Sequence, residues 1–369
     1  MKIAILTQPL HNNYGGLLQA FALQHHLKNS GHDVLTVNFG WRYELPYFGI
    51  KRVIGNIVRK YILRRPIGSV LPITDEQKRE IGQHTNKFTA EHIRTTQDIY
   101  SISELDYIKK YHFDAYIVGS DQVWRPAYSP GMSAFFLSFL GENETAKRIA
   151  YAASFGVDNC GEFSSEQLVE YGKLLKRFDA VGVREDSAVE LCHQNFGVDA
   201  QHVIDPTLLL DKEVYCKLVE QDRIPKNNGN MMVYVLDRAP EKQEIIQLVA
   251  NERGLMPFTV MPGDSGVYPP VTQWLRGFMD AEYVVTDSFH GVVFSIIFNK
   301  PFIAIGNRDR GLARFTSILK LFSLESRLVF SKADVSIDII NDFIDFDKVN
   351  NIVSKQQMLA HSFITHALN

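Results

Sequence analysis

The chain is 369 residues long, enough for two domains at roughly 100–200 residues each. Hydrophobic residues at 45% and charged residues at 22% exclude a disordered or fibrous chain, so each half can bury a core of its own. Lysine plus arginine number 39 against 42 aspartates plus glutamates, and the net charge of -3 supplies no field to attract nucleic acid, so any anion must be bound locally.

The N-terminal Lys2-Ile3-Ala4-Ile5-Leu6-Thr7 is too short an apolar run for a signal peptide and reads as a first strand. A loop, His11-Asn12-Asn13-Tyr14-Gly15-Gly16, follows. Helical spacing then aligns Leu17, Ala20, Phe21, Gln24 and Leu27 over 17–28, Gly31 closes that helix, and Asp33 to Asn38 is a second strand. A strand, helix, strand opening is the unit of a parallel sheet. Short apolar strands at Ala115 to Val118, Ile149 to Ala153 and Ala180 to Val183 continue a doubly wound pattern.

The polar stretch Asp222 to Asn230, with Pro225 and Gly229, reads as a linker. Beyond it the pattern restarts, with strands at Met231 to Leu236, Phe258 to Met261, Tyr283 to Thr286 and Phe302 to Ile305 and a helix at Glu241 to Arg253. The expected fold is α/β, two Rossmann-like doubly wound domains at 1–222 and 223–345 facing a cleft. A C-terminal helical segment, 346–369, is expected to pack back on the first domain.

Cys160, Cys192 and Cys216 are too few and too irregularly spaced for a disulfide framework or a zinc site, which reads as a cytosolic chain. No stretch approaches the ~18 uninterrupted apolar residues that a membrane span needs. Residues 50–68 differ in character: Ile54, Ile57, Val58 and Tyr61 fall at helical spacing beside Lys51, Arg52, Arg59, Lys60, Arg64 and Arg65. Such a segment suits peripheral contact with an anionic membrane, or equally a surface helix with its apolar stripe on the core.

Ligands of open α/β sheets bind beyond the carboxyl ends of the strands, so the loops there carry the chemistry. Thr286-Asp287-Ser288-Phe289-His290-Gly291 follows a strand and opens an apolar helix over 292–298, an anion site with Ser288 or Asp287 able to cap. A histidine placed there can bind and protonate an oxyanion, or simply be a hydrogen-bonded residue at an ordinary helix start. The loop Gly306-Asn307-Arg308-Asp309-Arg310-Gly311-Leu312-Ala313-Arg314 supplies three guanidinium forks suited to carboxylate or phosphate, unless Asp309 neutralises them. Arg184 ends a strand and can reach an anion across the cleft, or pair locally with Glu185 or Asp205. In the first half, residues 11–16, Gly119-Ser120-Asp121-Gln122-Val123-Trp124 and Ala153-Ser154-Phe155-Gly156 match neither G-x-G-x-x-G nor a Walker loop. Their amide, carboxylate and aromatic side chains suit sugar hydroxyls and a sugar face, or turn chemistry around a buried Trp.

Taken together, residues 9–20, 118–124, Val183-Arg184-Glu185, Asp205-Pro206-Thr207-Leu208-Leu209 and 286–291 resemble, in order, the polysaccharide pyruvyl transferase family. The resemblance implies a GT-B-like fold, phosphoenolpyruvate as donor, a sugar diol as acceptor and a pyruvate ketal as product, with no cofactor beyond the co-substrate. It implies that Arg184, Ser288, Phe289, His290 and Gly291 hold the donor, with His290 as the acid/base and Arg184 in the catalytic set. Some relatives carry arginine where this chain has Ser288, and Arg308, Arg310 or Arg314, next to Asn307, are the substitutes available. His11, Asn12, Asn13, Tyr14, Gly15, Gly16, Asp121, Gln122, Trp124 and Ser154 are the expected acceptor side. The acceptor would be a bacterial surface or capsular polysaccharide or its polyprenyl-diphosphate-linked precursor, placing the protein in the cytoplasm or at the inner membrane face. A nucleotide-sugar GT-B glycosyltransferase and a non-catalytic glycan-binding relative are the competing readings.

Overall fold

A computed structural model describes residues 1–40, 54, 55, 58, 74–129, 131–237, 239–307 and 311–369. Two parallel sheets organise them. The first contains β1 (Lys2–Leu6), β2 (Asp33–Phe39), β3 (Thr95–Ile99), β4 (Ala115–Val118), β5 (Lys147–Ala153), β6 (Ala180–Val183) and β7 (Gln201–His202), in the order β3-β2-β1-β4-β5-β6-β7. The second contains β8 (Met231–Tyr234), β9 (Pro257–Phe258), β10 (Tyr283–Thr286), β11 (Phe302–Ile305) and β12 (Leu328–Val329), in the order β12-β11-β10-β8-β9. Central strands such as Ile3 to Leu6 and Tyr283 to Thr286 are buried along their length, because helices cover both faces of a parallel sheet. The expected pair of Rossmann-like units is present.

The departures lie at edges. Strand β3 is half polar, and β7 and β12 are two residues each, too short for a period-two pattern to register. The strand expected over 258–261 pairs with β8 only at Pro257 and Phe258. The first helix begins at Tyr14 rather than Leu17, because the Asn13 side chain accepts the Gly16 N–H and caps it. Likewise the apolar helix after β10 starts at Phe289 and ends at Ile297.

One apolar core runs from the first half into the second, and each half also keeps a cluster of its own. Helix Lys212–Gln221 sits across the cleft, with Tyr215 edge-on to Phe294 and Asp222 accepting a hydrogen bond from Thr272 at 2.7 Å. From the other side Tyr14 stacks on Trp274 at 5.6 Å and donates its hydroxyl to the Pro269 carbonyl. The last helix, Phe346–Leu368, returns to the first sheet: Gln357 donates to the Leu208 carbonyl, Phe363 meets Tyr151, and His361 lies edge-on to His26. Among the described residues no helix is long and apolar enough to cross a membrane. The basic segment 50–68 falls almost wholly outside the described residues.

Candidate functional site

Strand order reverses between β1 and β4 in the first sheet and between β8 and β10 in the second, and the crevice at such a reversal receives ligands. The loops that follow these strands face each other. A Cβ added to Gly15 would stand 2.0 Å from His290 Nδ1, so the first turn of helix Tyr14–Asn29 lies directly against the turn after β10. Only glycine allows that approach. Helix Ala313–Phe322 of the second half docks on the first half through Ser317, which accepts the Asp186 N–H at 2.9 Å, and through Lys320, paired with Asp186. The docking carries Arg314 into the crevice. Just before it, a Cβ on Gly311 would stand 2.0 Å from the Gly156 carbonyl oxygen, a further close approach across the cleft.

A buried charged cluster results. Arg184, at the end of β6, sends Nη1 to Asp205 Oδ2 at 3.0 Å and Nη2 to Asp121 Oδ1 at 3.4 Å. His290 Nε2 lies 3.7 Å from the same Asp205 oxygen. Both guanidinium groups flank one ring: the Cζ atoms of Arg184 and Arg314 are 4.7 and 5.4 Å from the Phe289 centroid. Burial, then the charge of Arg184, pulls Arg314 down to about 10. Burial alone would push Asp205 and Asp121 up. Instead His290, Arg184 and Thr207 hold Asp205 well below the usual carboxylate range, and Arg184, His290, Arg314 and the Gln122 N–H lower Asp121.

The cluster is incomplete as a hydrogen-bonding system. Arg184 Nε, Arg314 Nε and His290 Nε2 are all buried without a hydrogen-bond partner among the described residues. Buried donors are normally satisfied, so three of them converging on one aromatic ring call for an acceptor-rich ligand. Helix Phe289–Ile297 adds to this, because Ser288 occupies its N-cap position without making a side-chain capping bond. Asp287 does not cap it either. Its carboxylate turns back to accept the Leu236 and Asp237 N–H groups and pairs with Lys242 Nζ at 2.6 Å.

The structure thus brings together Arg184, Phe289, His290 and Arg314, and adds Asp121, expected on the acceptor side, to the cation cluster. Other expected residues are placed elsewhere. Trp124 is fully buried, donates Nε1–H to the Phe135 carbonyl and stacks on Phe136, so it offers no face to a sugar. Tyr14 is equally buried in the shared core, and Gly15 and Gly16 belong to its helix. Asn12 accepts from the Thr85 hydroxyl, and Asn13 is the helix cap. Gln122 receives Arg125 Nη1, and Ser154 accepts the Gly156 N–H, so both hold loops together. Of that set His11 and the cap residue Asn13 stay exposed, and His11 is close enough to Asp121 to feel its charge. Gly291 serves packing, since a Cβ there would stand 2.1 Å from Thr286 Oγ1. Asn307 donates to Asp237, while Arg308 and Arg310 lie outside the described residues.

Two carboxylates that the expected site did not include lie in or beside the cluster. Asp205, part of a family-like stretch and a possible salt-bridge partner but given no site role, has Oδ1 bonded to the N–H and hydroxyl of Thr207, an Asp-Pro-Thr cap that reads as turn chemistry in one dimension. Glu185 is buried and accepts the N–H groups of Phe155 and Gly156, fixing the loop after β5.

Two Rossmann-like units closing on a charged crevice define a GT-B-like protein, and solved structures agree. The UDP-N-acetylglucosamine 2-epimerase of Rickettsia bellii is similar at TM-score 0.50 and 11% identity, covering 98% of this chain and 96% of its own. The UDP-GlcNAc 2-epimerase of Neisseria meningitidis gives TM-score 0.50 and 10% identity over 100% and 99% of the two chains. Arabidopsis thaliana UGT89C1 complexed with UDP-L-rhamnose gives 0.50 and 10% over 99% and 98%. At such identities the likeness concerns the fold alone. A comparison with curated proteins returned no match. The family model for polysaccharide pyruvyl transferase matches residues 13–310, and this chain belongs to that family.

Proposed function

We propose that this protein transfers a pyruvyl group from phosphoenolpyruvate to two hydroxyls of a glycan sugar, forming a ketal and releasing phosphate. The observation that carries the reading is the convergence of Arg184, Arg314 and His290, each with an unpartnered buried nitrogen, on Phe289 at an uncapped helix start. Phosphoenolpyruvate brings a carboxylate and a phosphate, the acceptor groups such a cluster lacks.

The chemistry follows from those groups. His290 gives a proton to C3, whose new C–H bond takes the electron pair of the enol double bond, and C2 gains oxocarbenium character. One acceptor hydroxyl oxygen bonds to C2. The C2–O bond to phosphorus then breaks with its pair on the phosphate, and the second hydroxyl closes the ring. Of the two hydroxyl protons, one restores His290 and the other leaves with phosphate. A histidine suits this work because its ordinary titration lies near neutrality.

Incubation with phosphoenolpyruvate and a panel of free, polymeric and polyprenyl-diphosphate-linked glycans, read by mass spectrometry, tests the reading. A product heavier by one ketal-linked pyruvate with matching phosphate release is the expected result. No phosphate release with any acceptor, by folded protein that binds a nucleotide sugar, would move the chain to the glycosyltransferase reading.

A further inference from the structure

The proposed chemistry assigns no role to Asp205, yet its carboxylate touches both halves of the cluster. It is 2% exposed, and Oδ2 faces Arg184 Nη1 at 3.0 Å and His290 Nε2 at 3.7 Å. Oδ1 is pinned by the Thr207 N–H at 3.0 Å and hydroxyl at 2.7 Å. Arg184 is carried by the first sheet and His290 by the second, so this carboxylate spans the cleft.

We propose that Asp205 is a positioning residue, which aims His290 Nε2 and the Arg184 fork at one ligand and does so only when the two halves are closed on each other. The other ring nitrogen is unavailable for this task, because Nδ1 abuts Gly15 so closely that a Cβ there would stand at 2.0 Å. Nε2, buried without a hydrogen-bond partner, is left as the atom presented to a ligand, and Asp205 is the charged group beside it. Two hydrogen bonds from Thr207 leave the carboxylate no freedom to swing toward either partner alone. An ionised carboxylate 3.7 Å from Nε2 favours the proton on that nitrogen, so Asp205 biases the tautomer in which Nε2–H faces the cleft. Asp205 itself gains and loses no proton in the reaction.

The kinetic part of this inference rests on the pyruvyl-transfer reading, and the spectroscopic part does not. In Asp205→Asn the ring is no longer aimed, so kcat should fall by ~10²-fold, the scale of a misplaced catalytic group. The KM for phosphoenolpyruvate should not rise, because Arg184 has lost a carboxylate that competes with the donor. A purely structural role would instead lower the folded fraction and leave both constants of the folded enzyme unchanged. Heteronuclear NMR of the His290 ring nitrogens, without substrate, should show a changed tautomer pattern in the variant. Should Asp205→Asn fail to fold, Thr207→Val, which removes one pin and keeps the carboxylate, should give the same changes in weaker form. Unchanged ring resonances would overturn the proposal, as would a KM that rises as far as kcat falls. If the wild type neither binds nor turns over phosphoenolpyruvate, the functional reading fails and the NMR comparison alone decides the role of Asp205.

Discussion

His290 is the residue whose loss separates chemistry from binding. Its ring is buried, its Nε2 has no hydrogen-bond partner, and it stands at the start of an uncapped helix. His290→Ala should lower turnover by ~10²–10⁴, the range for removing a general acid, and activity within about threefold of the parent would remove it from that role. The two arginines differ in a way that stability measurements resolve. Arg184 neutralises Asp121 and Asp205, so Arg184→Ala strands two buried carboxylates and should cost about 3–5 kcal/mol in denaturant unfolding. Among the described residues Arg314 makes no such pair: its Nε is unpartnered, and burial and Arg184 pull its pKa down to about 10. Arg314→Met, which keeps the side-chain bulk, should leave stability equal or higher. It should weaken phosphoenolpyruvate binding by about 10–150-fold in calorimetry, the equivalent of a charge-assisted contact worth ~1.5–3 kcal/mol. Equal losses of stability in both variants would contradict this division.

Among the elements, the last helix carries a measurable pH signature. His361 on that helix meets His26 on the first, and His26 Nε2 is buried without a partner. Burial, then the neighbouring His361 and His25, push His26 down to about 4. An unfolded histidine titrates near ~6.5, so on acidification the unfolded state takes up this proton first. The contribution is therefore fully present above about pH 6.5 and is lost as the pH falls toward the folded value of about 4. His26→Gln should flatten the Tm profile across that window in scanning calorimetry, and an unaltered slope would show that the contact does not govern helix docking. The same elements show how far one-dimensional patterns reach. Apolar strands β1, β4, β10 and β11 and the helix over 240–253 stand close to where their periodicity placed them. Strands β3, β7 and β12 escaped notice, because short or half-polar edge strands owe their pairing to a neighbour rather than to their own sequence.

At the scale of the whole molecule, core residues of one half are packed among those of the other. Tyr14 from the first half and Tyr215 from the helix before the linker both insert among Trp274 and Phe294 of the second. A shared core predicts one cooperative transition in calorimetry, rather than two. Tyr14→Ala should lower the stability of that single transition by about 3–5 kcal/mol, as for other large-to-small core replacements. Two separate transitions in the parent would show that the halves unfold apart.

The amino-acid sequence by itself determined the two α/β units, the returning C-terminal helix and the strand-end turns that carry Arg184 and His290. Those features depend on local periodicity, turn residues and charged side chains at strand ends, all of which are written within a few consecutive positions. Which of these residues meet was decided by tertiary structure alone. Trp124 and Tyr14 carry groups that suit a sugar, and packing buried both of them. Asp121, an expected acceptor residue, joined the arginines, and Asp205, 85 residues away from His290 in the chain, came within 3.7 Å of it. Burial and long-range ion pairing arise when two sheets close on each other, and no window of a single sequence contains both surfaces.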